Sequence, residues 1–314
     1  MILLSCKKDH SKAIVPTLSL HKITFNVGFS QTTANFASNS LRTNSLSTNS
    51  VDTALTNHVN TIYYAVYDSL GNNVHTIKQL STDNNFGSYT DNLHSGKYTI
   101  VIGAGGTGLF LGEDVQNTSI TSSKLNTDIL WYGLDNSSDA FIKDAFYKKI
   151  AITVTNSDAS QSVTLDRITS KLTINIEDAL PANAGYIEAT FITAPAFKFY
   201  VGSAIPFDNA INISVLDTIA SSAIGTTNNK LSAILLFPTS PISVDLACRS
   251  SGNLQPLAEP IIAEKVIPNV TCPPNTQAIL TGKLFGGTGT TSTGGFKITI
   301  DTSWNSTPIT KSFP

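Results

Sequence analysis

Along much of the chain, apolar side chains recur at every second residue. Ile23, Phe25, Val27 and Phe29 form one such row; Leu172, Ile174 and Ile176 form another, as do Ile242, Val244 and Leu246, and Ile298 with Ile300. A strand turns successive side chains to opposite faces, so this period reads as half-buried β-strands. Turn-forming clusters such as Ser69-Leu70-Gly71-Asn72-Asn73, Ser95-Gly96-Lys97 and Gly286-Gly287-Thr288-Gly289 separate the rows, and few windows carry a helical period. The pattern predicts an all-β sandwich architecture.

A length of 314 residues allows two domains of ordinary size. A strand over Phe146 to Thr155 is expected to close the first unit. After the polar stretch Asn156 to Ser160, a new series starts with Val163-Thr-Leu165, which places the boundary near residue 158. The expected organisation is an amino-terminal tether over 1–20, one sandwich over 21–158 and a second over 159–314. Ser30 to Asn60 is dominated by Ser, Thr and Asn and reads as a long mobile excursion after the first strand. Leu93, Gly96 and Tyr98 have the spacing of a tyrosine corner, in which a Tyr at the start of a Greek-key strand sends its hydroxyl back to upstream backbone.

Charged residues are only 13% of the chain, against about 25% in ordinary soluble domains, while Ser, Thr and Asn together number 100. The surface is therefore solvated by hydroxyls and amides. A net charge of -2 and no basic run give nothing to steer the chain toward nucleic acid, so no nucleic-acid partner is expected. No segment has the ~20 apolar residues that a spanning helix needs.

The chain begins Met1-Ile-Leu3-Leu-Ser5-Cys6-Lys-Lys-Asp9, which resembles a bacterial lipobox with Leu3, Ser5 and Cys6 in the matching places. Only Ile2 to Leu4 represent the apolar region of a signal, so the natural start is expected upstream of Met1. Acylation of Cys6 would give about 0.8 kcal/mol of membrane affinity per buried methylene. Cys248 and Cys272 then remain as a pair. They either bridge a loop of about 25 residues, contributing about 3 kcal/mol, or stay as buried thiols, Cys248 continuing the row Ile242, Val244, Leu246.

Catalytic chemistry finds little purchase. Gly103-Ala-Gly105-Gly-Thr-Gly108 satisfies a dinucleotide fingerprint, but Leu109-Phe-Leu-Gly112 does not read as the helix that must follow, so a flexible loop is expected and no cofactor. The five histidines, His10, His21, His58, His75 and His94, all lie in the first third, and no G-x-S-x-G elbow exists. Glu113-Asp114 and Glu177-Asp178 are adjacent pairs that a strand would point to opposite faces, and they read as solvated turns. No metal-ligand spacing is present. The expectation is a chain that is not an enzyme. Trp131-Tyr132 and Trp304 are the candidate aromatic platforms for an alternative role, the binding of surface glycans. Asp52-Thr53-Ala, Asp68-Ser69-Leu and Asp217-Thr218-Ile resemble the short O-glycosylation acceptor pattern of Bacteroidota, which makes Thr53, Ser69 and Thr218 candidate sites.

Six segments in order, LLSCKKD, HKITFNVGFS, IYYAVYDSLGNNV, LHSGKYTIVIGA, SVTLDRITSKLTINIEDALP, and NTQAILTGKLFGG with FKITIDTSW, resemble the FimB-type family of fimbrial anchor and accessory lipoproteins from Bacteroidota. The resemblance covers nearly the whole chain. It implies two tandem transthyretin-like Greek-key β-sandwich domains and an outer-membrane lipoprotein acylated at Cys6. It further implies partnership with a fimbrillin or another fimbrial subunit by β-strand exchange and a role in cell adhesion, in which a partner's strand supplies missing backbone pairing. Arg42 is the only arginine of the Ser30 to Asn60 stretch and lacks a convincing protease context, which suits an uncleaved anchor. No family role extends to Cys248 or Cys272.

Overall fold

The computed structural model describes residues 19–29, 55–56, 59–113, 123–132, 144–195, 198–206, 210–236, 241–252, 255–285 and 296–301. The first sandwich is built from β1 (Leu20–Phe29), β2 (Thr61–Tyr67), β3 (Asn73–Leu80), β4 (Ser88–His94), β5 (Gly96–Gly105), β8 (Ala145–Val154) and β9 (Ala159–Arg167). Between β5 and β8 lie two short strands, β6 (Leu109–Gly112) and β7 (Ile129–Tyr132). The seven run in the order β3-β2-β5-β8-β9-β1-β4, and the ribbon folds over where β8 meets β9. Only Phe146 with Arg167 and Tyr147 with Asp166 pair across that fold. Ile23, Phe25 and Val27 of β1 then face Ile62, Tyr64 and Val66 of β2 and Ile100 and Ile102 of β5 in one core.

The second sandwich contains β10 (Thr169–Ile176), β11 (Ala184–Pro195), β14 (Ala210–Thr218), β15 (Asn229–Leu236), β16 (Ile242–Ser250), β17 (Ile261–Val270), β18 (Gln277–Gly282) and β19 (Lys297–Asp301). Its sheets are ordered β15-β10-β18-β19 and β14-β11-β16-β17. Leu172, Ile174 and Ile176 pack against Val244, Leu246 and Ala189 between them.

The two sandwiches share one wiring. In each, the first strand pairs antiparallel with the fourth and parallel with the last of seven: β1 with β4 and β9, β10 with β15 and β18. In each, the second strand lies between the third and fifth: β2 between β3 and β5, β11 between β14 and β16. The first strands even share a six-residue pattern, Lys22-Ile-Thr-Phe-Asn-Val27 and Lys171-Leu-Thr-Ile-Asn-Ile176. Its outward hydroxyls make equivalent cross-strand contacts, Thr24 to Thr90 at 3.0 Å and Thr173 to Ser232 at 2.9 Å. β19 is the addition, pairing with the outer edge of β18.

One expectation is corrected. The boundary near residue 158 falls a strand early, because β9 pairs in parallel with β1 from Ile23–Ala159 to Phe29–Leu165 and buries Val163 and Leu165 in the first core. A strand's alternation says which face is apolar, not which sheet it joins. The junction between the sandwiches is therefore at Ile168, between β9 and β10. Of the expected excursion over Ser30 to Asn60, most lies outside the described residues, but Leu55 and Val59 belong to the first core.

Candidate functional site

A small third sheet joins the two sandwiches. The second sandwich sends out β12 (Lys198–Tyr200) and β13 (Ile205–Pro206) between β11 and β14, and β12 pairs with β7 of the first, in the order β13-β12-β7-β6. This sheet lies on the outer face of β2, β5 and β8. There Tyr63, Ala65, Tyr67, Val101 and Tyr147 meet Leu109, Leu130 and Phe199 in a separate apolar cluster. β2 is in consequence buried along its whole length, one face toward the sandwich core and the other toward the third sheet.

Polar contacts lock this clasp. Asp128, fully buried just before β7, accepts hydrogen bonds from the Tyr67 hydroxyl at 2.6 Å, the Ser123 hydroxyl, and the Lys124 amide at 3.2 Å. Burial, and then the bond to Asp128, push the Tyr67 phenol far above its ordinary pKa, so it stays a donor. The Asp128 carbonyl accepts from the Val201 amide at 3.1 Å. Tyr147 donates to the Val201 carbonyl and Lys149 to that of Gly202, so three residues of the first sandwich side hold one turn of the second.

The glycines of the supposed fingerprint belong to this contact. β5 runs through Gly105, a turn follows, and β6 comes next as a strand, so no helix stands ready for a pyrophosphate and the segment is not a free loop. A Cβ on Gly103 would lie 2.6 Å from Leu130 Cδ1, and one on Gly105 2.4 Å from Tyr132 Oη. Glycine is required there because β7 packs directly on β5.

Of the adjacent aromatics, Tyr132 points inward, its hydroxyl donating to the Asp144 carbonyl at 2.7 Å and accepting from the Gly106 amide at 2.9 Å. Tyr132 is therefore structural, a correction to its place among the glycan candidates. Trp131 is half-buried and stacks on Phe110 with centroids 5.2 Å apart. Phe110 is 44% exposed, and the Lys78 ammonium sits 5.9 Å over its ring. Sequence reading missed Phe110, although its place opposite Trp131 follows from the pairing of β6 with β7.

The remaining sequence candidates are dispersed. The Tyr98 hydroxyl donates to the His94 carbonyl at 3.1 Å, the geometry of a tyrosine corner, while Leu93 is buried in the first core. Cys248 and Cys272 are both free thiols in the second core, so the disulfide alternative is corrected to buried thiols. Burial pushes their pKa values up to about 11 and about 12. Ser69 and Thr218 are exposed, Ser69 on a turn that Asp68 holds by accepting from the Leu70 and Asn72 amides, both at 2.9 Å. Asp178 is not merely a solvated turn residue, since its carboxylate accepts from the Phe285 amide. Cys6, Thr53 and Trp304 lie outside the described residues. His75 meets Asp91 at 2.8 Å, tying the outer strands β3 and β4 together, with no serine or cysteine nucleophile in that contact. Among the described residues no group of His, Cys, Asp and Glu is placed to hold a metal ion.

What the surface does offer is strand edges. Among the described residues, β3, β4, β14, β15 and β17 each end a sheet or ribbon, with one row of backbone groups that no described strand pairs. No family model matches the sequence, and no curated protein matches it. The fold, however, recurs in solved structures. A candidate adhesin from Bacteroides ovatus is 12% identical, with TM-score 0.53 over 91% of this chain and 95% of that one. A candidate polysaccharide-binding protein from Bacteroides thetaiotaomicron is also 12% identical, with TM-score 0.53 over 90% and 96%. The fimbrial anchor protein of Porphyromonas gingivalis is 10% identical, with TM-score 0.50 over 90% and 96%. At such identities the shared property is the fold: a two-sandwich, all-β architecture matched along nearly the full length of each chain.

Proposed function

We infer that this chain is a non-enzymatic anchor or accessory subunit of a surface fimbria. In this reading a lipid on Cys6 holds it at the outer membrane, and it joins a fimbrillin-like neighbour by β-strand addition, with a role in cell adhesion. The observation that carries the reading is the match of both sandwiches to a fimbrial anchor protein over 90% of this chain and 96% of that one. The sheet edges that no described strand occupies support strand addition, since a partner strand there gains main-chain hydrogen bonds and places alternate side chains on the host.

The test is a tagged pull-down from detergent-solubilised outer membrane, with heated and unheated samples compared on a gel. A heat-labile ladder containing a fimbrillin-like partner is expected, lost from the membrane fraction in Cys6→Ala. A single monomeric band that stays membrane-bound without Cys6 would overturn the reading. A second reading, glycan binding, is favoured by the partly exposed Phe110–Trp131 stack. It predicts glycan-array signals that Trp131→Ala removes.

A further inference from the structure

The two sandwiches are wired alike but finished differently where their third and fourth strands connect. In the first, the β3–β4 connection turns inward. Phe86 packs on the core, and the buried Gln79 amide donates to the Asn85 and Ser88 carbonyls at 3.2 and 2.9 Å and accepts from the Gly87 amide at 3.1 Å. Leu55 presses against the same turn, so close that a Cβ on Gly87 would lie 2.6 Å from its methyl. That end of the sandwich is filled.

In the second sandwich the equivalent β14–β15 connection packs Ile219 and Ile224 on the core but otherwise supplies only Ala220 and Ala223 there, and a pocket of about 200 Å³ remains between β14 and β15. Its floor is the core itself, with Ile176, Ile187 and Leu231 each no more than 7% exposed. Asp217 on β14 and Lys230 on β15 stand at its rim, neither engaged in an ion pair or side-chain hydrogen bond among the described residues. Both strands are outermost in their sheets.

The geometry points to this pocket as a docking site for an extended peptide segment of a partner chain that inserts one large apolar side chain. Size supports this: an apolar cavity of ~150 Å³ already accepts a benzene ring. The rim sets the chemistry around that side chain. A carboxylate only accepts and an ammonium only donates, which complements the N–H and C=O of a peptide unit. Among the described residues no aromatic side chain lines the pocket, so they offer no stacking face of the kind sugar rings use. The first sandwich supplies the precedent within the same chain, where Leu55 and Phe86 occupy the equivalent end. The outer edges of β14 and β15, which no described strand occupies, can pair the backbone that carries the side chain. The site deepens the strand-addition part of the proposed function and rests on it; a probe titration reads the pocket alone, so its failure is distinguishable from a failed pull-down.

The test uses the full chain with labelled methyl groups, titrated with N-acetyl-phenylalaninamide, N-acetyl-leucinamide and N-acetyl-alaninamide. The first two are expected to give saturable shifts of the Ile187, Ile219 and Leu231 methyl signals, and the alanine probe to bind about tenfold more weakly. Ala223→Leu fills the pocket; it is expected to raise Tm and abolish the response. Asp217→Asn and Lys230→Gln, both on the rim, are expected to weaken the probes several-fold at unchanged Tm, and they keep the test valid if Ala223→Leu fails to fold. Absence of saturation, equal response to the alanine probe, rim variants that leave affinity unchanged, or a response retained in a folded Ala223→Leu would each overturn the proposal. So would shifts that follow protein concentration alone, which mark a second copy as occupant, or shifts with monosaccharides only.

Discussion

The first and second sandwiches repeat one strand order, yet they stand in different surroundings. β2 at the centre of the first is buried on both faces, whereas its equivalent β11 keeps Tyr186 and Thr190 on a partly exposed face. The difference comes from the clasp, to which the first sandwich gives a sheet face and two short strands and the second gives two more. Side-by-side repeats need not share a fold-stabilising surface; here a four-stranded patch supplies one. The two halves should therefore unfold together, with the first more dependent on the clasp than the second.

Removing Phe199 should break that coupling most severely. It is 2% exposed, edge-on to Tyr147 at 4.8 Å, and the buried aromatic side chain that the second sandwich adds to the clasp beside Val201 and Leu236. Phe199→Ala is expected to cost about 3–5 kcal/mol. In scanning calorimetry a single transition should split into two; an unsplit transition would show that the sandwiches are coupled elsewhere. Asp128→Ala comes next, at about 1.5–3 kcal/mol, because it strands the Tyr67 and Ser123 hydroxyls in a buried site. Its loss should fall on the same coupled transition.

Mild alkali should distinguish the halves in the opposite sense, because the buried Tyr64, Tyr67, Tyr132 and Tyr147 of the first core and the clasp, also raised by burial, start from an ordinary value of 10.0 and weigh in only at higher pH. Both described thiols lie in the second core with pKa values raised to about 11 and about 12, from 9.0. A raised pKa in the folded state means that the stabilisation is complete below pH 9 and is lost as pH rises from 9 through those values. Between pH 9 and 10 the wild-type Tm should fall by a few degrees, and less in Cys248→Ala/Cys272→Ala. Equal slopes would mean that the thiols are more solvated than their burial indicates. The smallest effect separates the two hydroxyl ladders. Thr173→Val should cost about 1 kcal/mol, because Thr173 is 6% exposed and bonded to Ser232 and Gln277, and the more open Thr24→Val only a few tenths in the same denaturant series.

The sandwich class was legible because alternation along β1, β10 and β16 is a direct image of one buried face. β2 was not, since Thr-Ile-Tyr-Tyr-Ala-Val-Tyr has two apolar faces and no period to read. The third sheet was invisible because its strands are only two to four residues long and its partners come from both halves of the chain. The repeat Lys22 to Val27 and Lys171 to Ile176 did lie in the sequence and marks the two first strands. As for the candidate site, Trp131 and Tyr132 are neighbours on one strand, so period two alone already required that only one face outward. Phe110 needed the pairing of β6 with β7 before it could be placed beside Trp131.

One feature of the wiring bears on load. In each sandwich the first and last of the seven strands lie side by side and parallel, β1 with β9 over seven paired positions and β10 with β18 over six. A pull that enters at the start of β1 and leaves at the end of β9 slides the two past one another along their length. All the rungs between them are then strained at once, rather than peeled apart one after another. Tension along the chain thus meets each sandwich in shear, the direction in which a short ladder of hydrogen bonds resists as a group.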